Sequence, residues 1–149
     1  MHQRWMAQAL QEAQKAFERG EVPVGAVVVV DDEAVGAGHN LVETLQDPTA
    51  HAEILAIQSA AGRLGTWRLN DARIYVTLEP CPMCYSAIHL ARIPEIVFGA
   101  HDPRLGACGS ALDLRGLNAM TEPAKIEAGV MAEESRQLLK QFFQKLRQK

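Results

Sequence analysis

The sequence predicts an α/β fold, a three-layer α/β/α sandwich around a central mixed sheet of five strands. Segments typical of buried strands alternate along the chain with segments of helical periodicity, which is the pattern of helices packed on a sheet. The first two strands follow each other across a short polar turn, so an antiparallel hairpin opens the sheet and makes it mixed. No repeat, linker or low-complexity stretch interrupts this pattern, and we therefore expect residues 1–149 to form a single domain.

The first third of the chain predicts one helix and the opening hairpin. Apolar side chains recur at helical spacing over residues 5–17, and Gly20 can end that helix. A β-branched run over residues 24–30 is typical of a buried strand. A polar turn follows at residues 31–33, and residues 35–39 fit the returning strand of the hairpin.

Asp47 and Pro48 predict the start of the next helix. Asp47 is a preferred N-cap residue and Pro48 suits the first helical position, so we expect a helix from Thr49 to about Ala61. Gly62 is then expected to end this helix. The remaining elements continue the alternation: a strand at 74–78, a helix that opens at 80–82 and continues to about 92, a strand at 96–98, a largely irregular segment at 100–121, a strand at 126–128 and a last helix at 131–146.

Length and composition exclude several classes of protein. The chain has 149 residues, 48% of them hydrophobic and 22% charged, which is the composition of a folded globular domain rather than a disordered one. No apolar run approaches the roughly 18 residues that a membrane span needs, and the N-terminus lacks the pattern of a secretory signal. The cysteines at Cys81, Cys84 and Cys108 are too few and odd in number for a disulfide scaffold, so we expect a reducing, cytoplasmic environment.

The charges are unevenly distributed along the chain. A formal net charge of −3, taken over the whole chain, argues against nucleic acid as a partner. All 18 acidic residues and 10 of the 15 basic residues precede Ser135, whereas residues 135–149 contain five basic residues and no acidic one. This basic tail is either a solvated helical face favoured by the helix dipole or a surface that contacts phosphates.

Two clusters of residues carry the chemistry: His51-Ala52-Glu53 and Pro80-Cys81-Pro82-Met83-Cys84. Cys81 and Cys84 are three residues apart, so at the start of a helix their thiols face the same way, and the positive end of that helix favours the thiolate form that binds metal. His51 supplies a third ligand if the two helices begin side by side. Three ligands of the N/S type with one open position are what a catalytic zinc ion requires.

Glu53 is predicted to act beside the metal rather than on it. Side chains two residues apart point about 200° away from each other around an α-helix, so His51 and Glu53 are not expected to bind one metal together. A carboxylate close to the metal but outside its coordination sphere can move a proton from the attacking water to the substrate.

Two simpler interpretations of these clusters remain. A lone C-x-x-C pair is also found in redox proteins, and a purely structural zinc site needs four protein ligands. Redox chemistry leaves His51 and Glu53 without a role, and the sequence offers no clear fourth ligand, although His101 and Cys108 are candidates. Catalytic zinc accounts for both clusters.

Together the clusters resemble the zinc-dependent cytidine/deoxycytidylate deaminase superfamily. Its signature is H-x-E followed by P-C-x-x-C, and in this chain the first cysteine follows His51 by 30 residues. Within the superfamily, the sequence is similar to the tRNA-specific adenosine deaminases over nearly the whole chain. The segments that carry this similarity are 22–26 (VPVGA), 47–53 (DPTAHAE), 75–81 (YVTLEPC) and the block from Phe98 to Ser110.

The resemblance implies a cytidine deaminase-like fold with one zinc ion per subunit. Its ligands would be His51, Cys81 and Cys84, and Glu53 would be the general acid/base; the mechanism is taken from the family. The family also implies hydrolytic deamination of adenosine to inosine at wobble position 34 of a tRNA anticodon loop, by a zinc-activated water. It further implies a homodimer whose partner is tRNA, and no association with a membrane is expected. With tRNA as the substrate, phosphate contacts become the favoured interpretation of the basic tail.

The resemblance also assigns two residues to substrate binding. Asn40 resembles the asparagine that hydrogen-bonds the flipped base, and Asp102 resembles the acidic residue that contacts a ribose. Asn40 can equally cap the end of a strand, and Asp102-Pro103 can equally form a turn.

The sequence departs from the family at three places, and two other functions remain open. His101 stands where many relatives carry an arginine, and Cys108 and Tyr85-Ser86 stand where relatives carry small residues. One alternative is a free-nucleobase deaminase acting on guanine or cytosine, which needs no basic tail. The other is a non-catalytic, zinc-stabilised RNA-binding module, for which Glu53 would be dispensable.

Overall fold

The structure, a computed structural model, describes residues 1–117 and 121–148. In this part of the chain the strands are β1 (Gly25–Val30), β2 (Glu33–His39), β3 (Ala72–Leu78), β4 (Glu95–Ala100) and β5 (Lys125–Glu127). The helices are α1 (His2–Glu18), α2 (Val42–Leu45), α3 (Ala52–Leu64), α4 (Pro82–Leu90) and α5 (Ala132–Arg147).

The strands form one mixed sheet in the order β2-β1-β3-β4-β5. β1 pairs antiparallel with β2 and with β3, whereas β4 pairs parallel with β3 and with β5. The opening hairpin and the mixed five-stranded sheet are therefore confirmed. The carboxyl ends of β2, β3 and β4 meet at one edge of this sheet, beside the start of β1.

Helices cover both faces of the sheet, which confirms the three-layer α/β/α sandwich. On one face Val27 and Val29 of β1 share a buried cluster with Trp5 of α1, and α5 packs beside α1. On the other face Val28 shares a larger cluster with Ala56 of α3 and with residues of α4. Because alternate side chains of β1 are buried on opposite faces, this strand is a continuous apolar run in the sequence.

Helix α3 lies directly on β2 because two glycines leave room for it. A Cβ atom at Gly38 would lie 2.7 Å from the carbonyl oxygen of Ala52, and one at Gly36 would lie 2.5 Å from that of Ala56. No larger residue fits without moving the helix. This close contact brings the first turn of α3, with His51 and Glu53, to the edge where β2 and β3 end.

The predicted helix start at Asp47 and Pro48 is wrong. The Oδ1 atom of Asp47 accepts hydrogen bonds from the backbone nitrogen (2.9 Å) and the hydroxyl (2.7 Å) of Thr49, so Asp47 closes a local turn instead of capping a helix. Helix α3 begins only at Ala52, with His51 in extended conformation as its N-cap residue.

The predicted helix end at Gly62 is also wrong, because a glycine inside a helix costs only about 1 kcal/mol relative to alanine. Helix α3 continues to Leu64 and ends at Gly65, whose φ of +69° lies in the left-handed region that favours glycine. The sequence analysis also missed the short helix α2.

The segment predicted to be irregular follows β4. Residues 101–117 form turns and one isolated bridge between Cys108 and Asp113, while the rest of the predicted segment includes residues 118–120, which lie outside the described residues. Cys108 is buried, which is typical of a cysteine that packs as a small apolar residue. Across the two described ranges, no helix combines the length and apolarity that a membrane crossing requires.

Candidate active site

His51, Cys81 and Cys84 form a compact cluster at the sheet edge. The Nδ1 atom of His51 lies 3.4 Å from the Sγ atom of Cys84 and 3.6 Å from that of Cys81. The ligand atoms of the three residues all lie within 4.8 Å of one another. The starts of α3 and α4 therefore lie side by side, as the spacing of the two sequence motifs required.

Local sequence explains why these side chains converge. His51 and Cys81 are the N-cap residues of α3 and α4, both in extended conformation, and Pro82 is pre-organised for the first turn of α4. Cys84 lies one turn further along α4 and is buried, whereas His51 and Cys81 are half-buried. The positive end of α4 thus faces both sulfur atoms.

The donor set fits a zinc ion. One imidazole nitrogen and two thiols are the ligand types that zinc prefers, and three protein ligands leave a position open for water. Within the described ranges, no other group of three or more His, Cys, Asp or Glu residues is placed to hold a metal. A hydrogen bond with Cys84 lowers the pKa of the Cys81 thiol to about 4 against the opposing effect of burial, and the same bond raises the pKa of Cys84. One thiolate is therefore already favoured before metal binds.

Glu53 lies in the first turn of α3 beside this cluster but is not part of it. Its side chain is almost fully enclosed, with 4% of the residue exposed. The pKa of Glu53 is raised to about 7, chiefly by burial. The charge of Cys81 acts in the same direction, whereas a backbone hydrogen bond and the neighbouring His51 and Cys84 oppose the rise. A carboxyl group with a pKa near neutrality can both take up and release a proton at physiological pH, which is what proton transfer requires.

A cavity of about 810 Å³ opens above the cluster. His51, Glu53 and Cys81 lie in its lining, together with the two predicted substrate contacts, Asn40 and Asp102. The structure thus brings the predicted site residues together in one place. The sequence analysis missed the apolar wall of the cavity, which α5 supplies with Leu139, Phe142, Phe143 and Leu146.

Sequence comparison agrees with this geometry. A profile of the MafB19-like deaminase family matches residues 1–147. The tRNA-specific adenosine deaminase of Bacillus subtilis (strain 168) is 48% identical over 145 residues, which cover 97% of this chain and 90% of the relative. The chain belongs to the deaminase family that contains the tRNA-specific adenosine deaminases. The family resemblance predicted from the sequence is confirmed, and the deaminase is a hydrolytic enzyme.

Two solved structures of deaminases resemble this deaminase in fold. One, from studies of A-to-I editing by tRNA:A34 deaminases at the wobble position of transfer RNA, has a TM-score of 0.83 at 41% identity, covering 91% of this chain and 98% of that one. The guanine deaminase of Bacillus subtilis has a TM-score of 0.65 at 39% identity, covering 68% of this chain and 65% of that one. The cytidine deaminase-like fold is thereby confirmed.

Asn40 follows β2 and lies in the lining of the cavity of the deaminase. Its Oδ1 atom accepts a hydrogen bond from the backbone nitrogen of Val42 (3.3 Å), and its Nδ2 atom donates one to the carbonyl oxygen of Val22 (3.4 Å). An amide has two donor hydrogens and two acceptor lone pairs, so half of its capacity is left for a ligand. Asn40 therefore both fixes the local backbone and can contact a substrate.

Asp102 lies on the opposite wall, and its side chain closes a turn. The Oδ1 atom of Asp102 accepts hydrogen bonds from the backbone nitrogens of Arg104 (3.0 Å) and Leu105 (3.3 Å). Among the described residues, the Oδ2 atom accepts no hydrogen bond. The turn that the sequence offered as an alternative is thus formed, while one carboxylate oxygen remains for a ligand.

Two buried carboxylates in the cavity wall, Glu21 and Glu79, also escaped the sequence analysis. Glu21 is only 1% exposed and holds α2: its Oε2 atom accepts hydrogen bonds from the backbone nitrogen and the hydroxyl of Thr44, both 2.6 Å, and its Oε1 atom accepts one from the backbone nitrogen of Glu43 at 3.1 Å. Burial would raise the pKa of Glu21, but these hydrogen bonds, those of Thr44 above all, lower it overall. The sequence does contain one indication of the role of Glu21, since it is an isolated acidic residue between the end of a helix and a buried strand.

Replacing Glu21 by glutamine is expected to lower the free energy of unfolding at pH 7 by about 1–3 kcal/mol, because an amide NH₂ group would then face the donors of Thr44. Since the folded-state pKa of Glu21 is lowered, its carboxylate stabilises the fold above the pKa of the unfolded chain, and this contribution is lost as the pH falls through the folded-state pKa. Urea unfolding should therefore show that the difference in free energy of unfolding between the wild type and Glu21→Gln becomes smaller below about pH 5. Glu43→Gln, at an exposed side chain, is the matched control, and a difference that stays constant with pH would contradict this account.

Proposed function

We propose that this deaminase converts adenosine to inosine by hydrolysis at wobble position 34 of tRNA anticodon loops. The observation that carries the proposal is the arrangement of one imidazole, two thiols and a buried carboxyl group of near-neutral pKa at the floor of one large cavity. The similarity to the tRNA-specific adenosine deaminase of Bacillus subtilis and to the tRNA:A34 deaminase structure supports the choice of substrate.

We propose that His51, Cys81 and Cys84 hold one zinc ion per subunit. A zinc ion held there would activate a water molecule as a nucleophile at neutral pH. Glu53 accepts a proton from the attacking water at its carboxylate and passes it to the purine as the water oxygen bonds to C6. The remaining hydroxyl proton then moves to the amino group, the bond between C6 and that nitrogen breaks, and ammonia leaves to give inosine. Burial of Glu53 keeps bulk water away from this transfer.

Asn40 and Asp102 are proposed to bind the substrate at the cavity walls. The free donor and acceptor of the Asn40 amide can pair with the edge of the purine, which fixes the base over the metal cluster. The remaining oxygen of Asp102 can accept a hydrogen bond from a ribose hydroxyl. Both side chains are already held by backbone contacts, so they lose little freedom when the substrate binds.

The dimensions of the cavity favour a nucleotide within an RNA strand. A cavity of about 810 Å³ that opens to solvent admits the reacting base together with its neighbours. The aromatic ring of Phe143 lies in its wall and is exposed, and bases of single-stranded RNA stack on such rings. Bases of an anticodon loop are also cheaper to extrude than bases of a duplex.

The basic tail lies next to this cavity. Helix α5 places Phe143 and Leu146 in the cavity wall and carries Lys145 and Arg147, both exposed, on the same final turns. This neighbourhood favours the phosphate-contact interpretation of the tail. Lys149, the last basic residue, lies outside the described residues.

Replacing Lys145, Arg147 and Lys149 by glutamine is expected to weaken binding of an anticodon stem-loop and to reduce the slope of log affinity against log salt by about 2, since each lost contact with single-stranded phosphate contributes about 0.7. Fluorescence anisotropy at several salt concentrations measures both quantities. The matched control neutralises Arg68 and Arg92, which precede β3 and β4, and Lys125, the first residue of β5, all at the opposite edge of the sheet. An equal change in affinity and in salt slope in both triple variants would contradict the phosphate-contact proposal.

We further propose that residues 1–149 act as one zinc-dependent deaminase domain, and that two subunits form a homodimer in the cytoplasm, where tRNA is modified. The resemblance to tRNA-specific adenosine deaminases supports both proposals. Analytical ultracentrifugation is expected to give twice the mass of the 16.3 kDa chain, and a monomer at micromolar concentration would contradict the dimer.

The substrate class is tested by offering the zinc-loaded protein four substrates under the same conditions: an anticodon stem-loop with adenosine at position 34, free adenosine, guanine and cytosine. We expect inosine from the stem-loop and no product from the three small molecules. Product from guanine or cytosine alone would establish a free-nucleobase deaminase. Tight RNA binding without any product would establish a non-catalytic module.

A further inference from the structure

Glu79 is a buried carboxylate between the metal cluster and the loop that forms one wall of the cavity. It directly follows β3 and precedes Pro80 and Cys81, and only 2% of the residue is exposed. A buried charge is costly unless hydrogen bonds compensate it. The partners of Glu79 therefore indicate what it does.

All of these partners belong to residues 101–110, which we call the wall loop. The Oε1 atom of Glu79 accepts hydrogen bonds from the backbone nitrogen of Asp102 (3.0 Å) and from the hydroxyl of Ser110, and the Nδ1 atom of His101 lies 3.4 Å away. The Oε2 atom accepts hydrogen bonds from the backbone nitrogens of Cys108 (2.9 Å) and Ser110 (3.3 Å). One carboxylate thus binds both ends of the wall loop.

The wall loop also packs directly against this carboxylate. A Cβ atom at Gly106 would lie 2.3 Å from the Cδ atom of Glu79 and 2.5 Å from its Oε1 atom, so only glycine fits there. The next residue, Ala107, donates a backbone hydrogen bond to the carbonyl oxygen of Pro80 (2.9 Å). The loop is therefore shaped around Glu79 and the peptide that leads to Cys81.

The wall loop forms the cavity wall opposite Asn40. His101, Asp102, Pro103, Arg104 and Leu105 line the cavity. The groups that reach Glu79 belong to the first two residues of this stretch and to Cys108 and Ser110, which follow it. Glu79 is not part of the metal-binding group. Its contacts consequently determine where this wall stands relative to the metal cluster, without forming the cluster itself.

We propose that Glu79 is a positioning residue for substrate binding, which fixes the wall loop in the conformation that contacts the nucleotides around the reacting base. The inference rests on the proposed function, because it names the part of the site that binds the RNA. We call the hydrogen bonds between Glu79 and the wall loop the clamp. Loss of the clamp raises the KM for RNA, while metal binding and the proton transfer by Glu53 continue. A merely structural role would instead lower stability and leave the KM unchanged.

The clamp is tested on the zinc-loaded protein with an anticodon stem-loop as substrate. In Glu79→Gln the amide NH₂ group faces backbone N–H donors, and we expect the KM to rise by about tenfold or more, with kcat within about threefold of the wild type and zinc content unchanged. An unchanged KM, or an equal loss in kcat and kcat/KM, would overturn the proposal.

Ser110 provides a second test that keeps the buried carboxylate in place. Ser110→Ala removes one donor from the exposed side of the clamp and is expected to raise the KM several-fold, whereas Ser110→Thr keeps the hydroxyl and should restore it. If Glu79→Gln does not fold, this pair decides alone: equal KM values for Ser110→Ala and the wild type overturn the positioning role. Absence of inosine with the wild-type protein would instead refute the proposed function, so the two failures are distinguishable.

Discussion

Replacing Glu53 by glutamine is expected to lower kcat for inosine formation by at least about 10²–10⁴-fold, the range that general acid–base catalysis supplies. Glutamine has nearly the same shape as glutamate but cannot carry a proton between water and the purine. Glu53 lies outside the group formed by His51, Cys81 and Cys84, so zinc content should remain at one equivalent per subunit. Single-turnover kinetics and metal analysis on the same preparation measure both quantities.

Glu53→Ala provides the control for the shape of the side chain. It should also retain zinc and bind the stem-loop, because the wall loop, Asn40 and α5 are unchanged. Loss of metal in either variant would place Glu53 in the coordination sphere. Turnover at the wild-type rate in both variants would show that the Glu53 carboxyl group does not take part in the reaction.

Replacing Cys84 by serine is expected to abolish both zinc binding and activity. Cys84 is the most deeply buried of the three donors and lies 3.4 Å from the Nδ1 atom of His51. Two ligands remain in this variant, too few for a zinc site. The variant should also melt at a lower temperature than the zinc-loaded wild type, because a ligand present at 1,000 times its Kd stabilises a fold by about 4 kcal/mol.

Cys108→Ala is the matched control for this prediction. Cys108 is also buried, and burial raises the pKa of its thiol to about 12, so it is a poor metal ligand. Zinc content and activity should be close to those of the wild type. Metal loss in Cys108→Ala together with metal retention in Cys84→Ser would contradict the ligand set.

The clustering of His51, Cys81 and Cys84 could be predicted from the sequence because the spacing that produces it is local. Cys81 and Cys84 are one helical turn apart, and Pro82 marks the helix start that orients them. The placement of His51 needed only the assumption that two helices begin at one sheet edge, which the alternation of strands and helices already favours. The mixed sheet could be predicted because the opening hairpin is antiparallel, whereas the strands that alternate with helices are typical of parallel pairing.

The features that could not be predicted depend on contacts between distant segments. Glu21 binds backbone nitrogens at residues 43 and 44, and Glu79 binds those at residues 102, 108 and 110. Every residue except proline has a backbone N–H group, so the sequence does not show which residues will be the partners. The role of Asp47 could not be predicted for a related reason, because an acid that caps a helix and one that closes a turn look the same in a sequence.

We expect this chain to deaminate the wobble adenosine of tRNA. This expectation is tested most directly by incubating the zinc-loaded protein with a tRNA transcript that has adenosine at position 34 and sequencing the reverse-transcribed product, in which inosine is read as guanosine. We expect conversion at position 34 alone, complete with the wild-type protein and absent with Glu53→Gln. An unconverted transcript, or conversion of other adenosines to the same extent, would contradict the account.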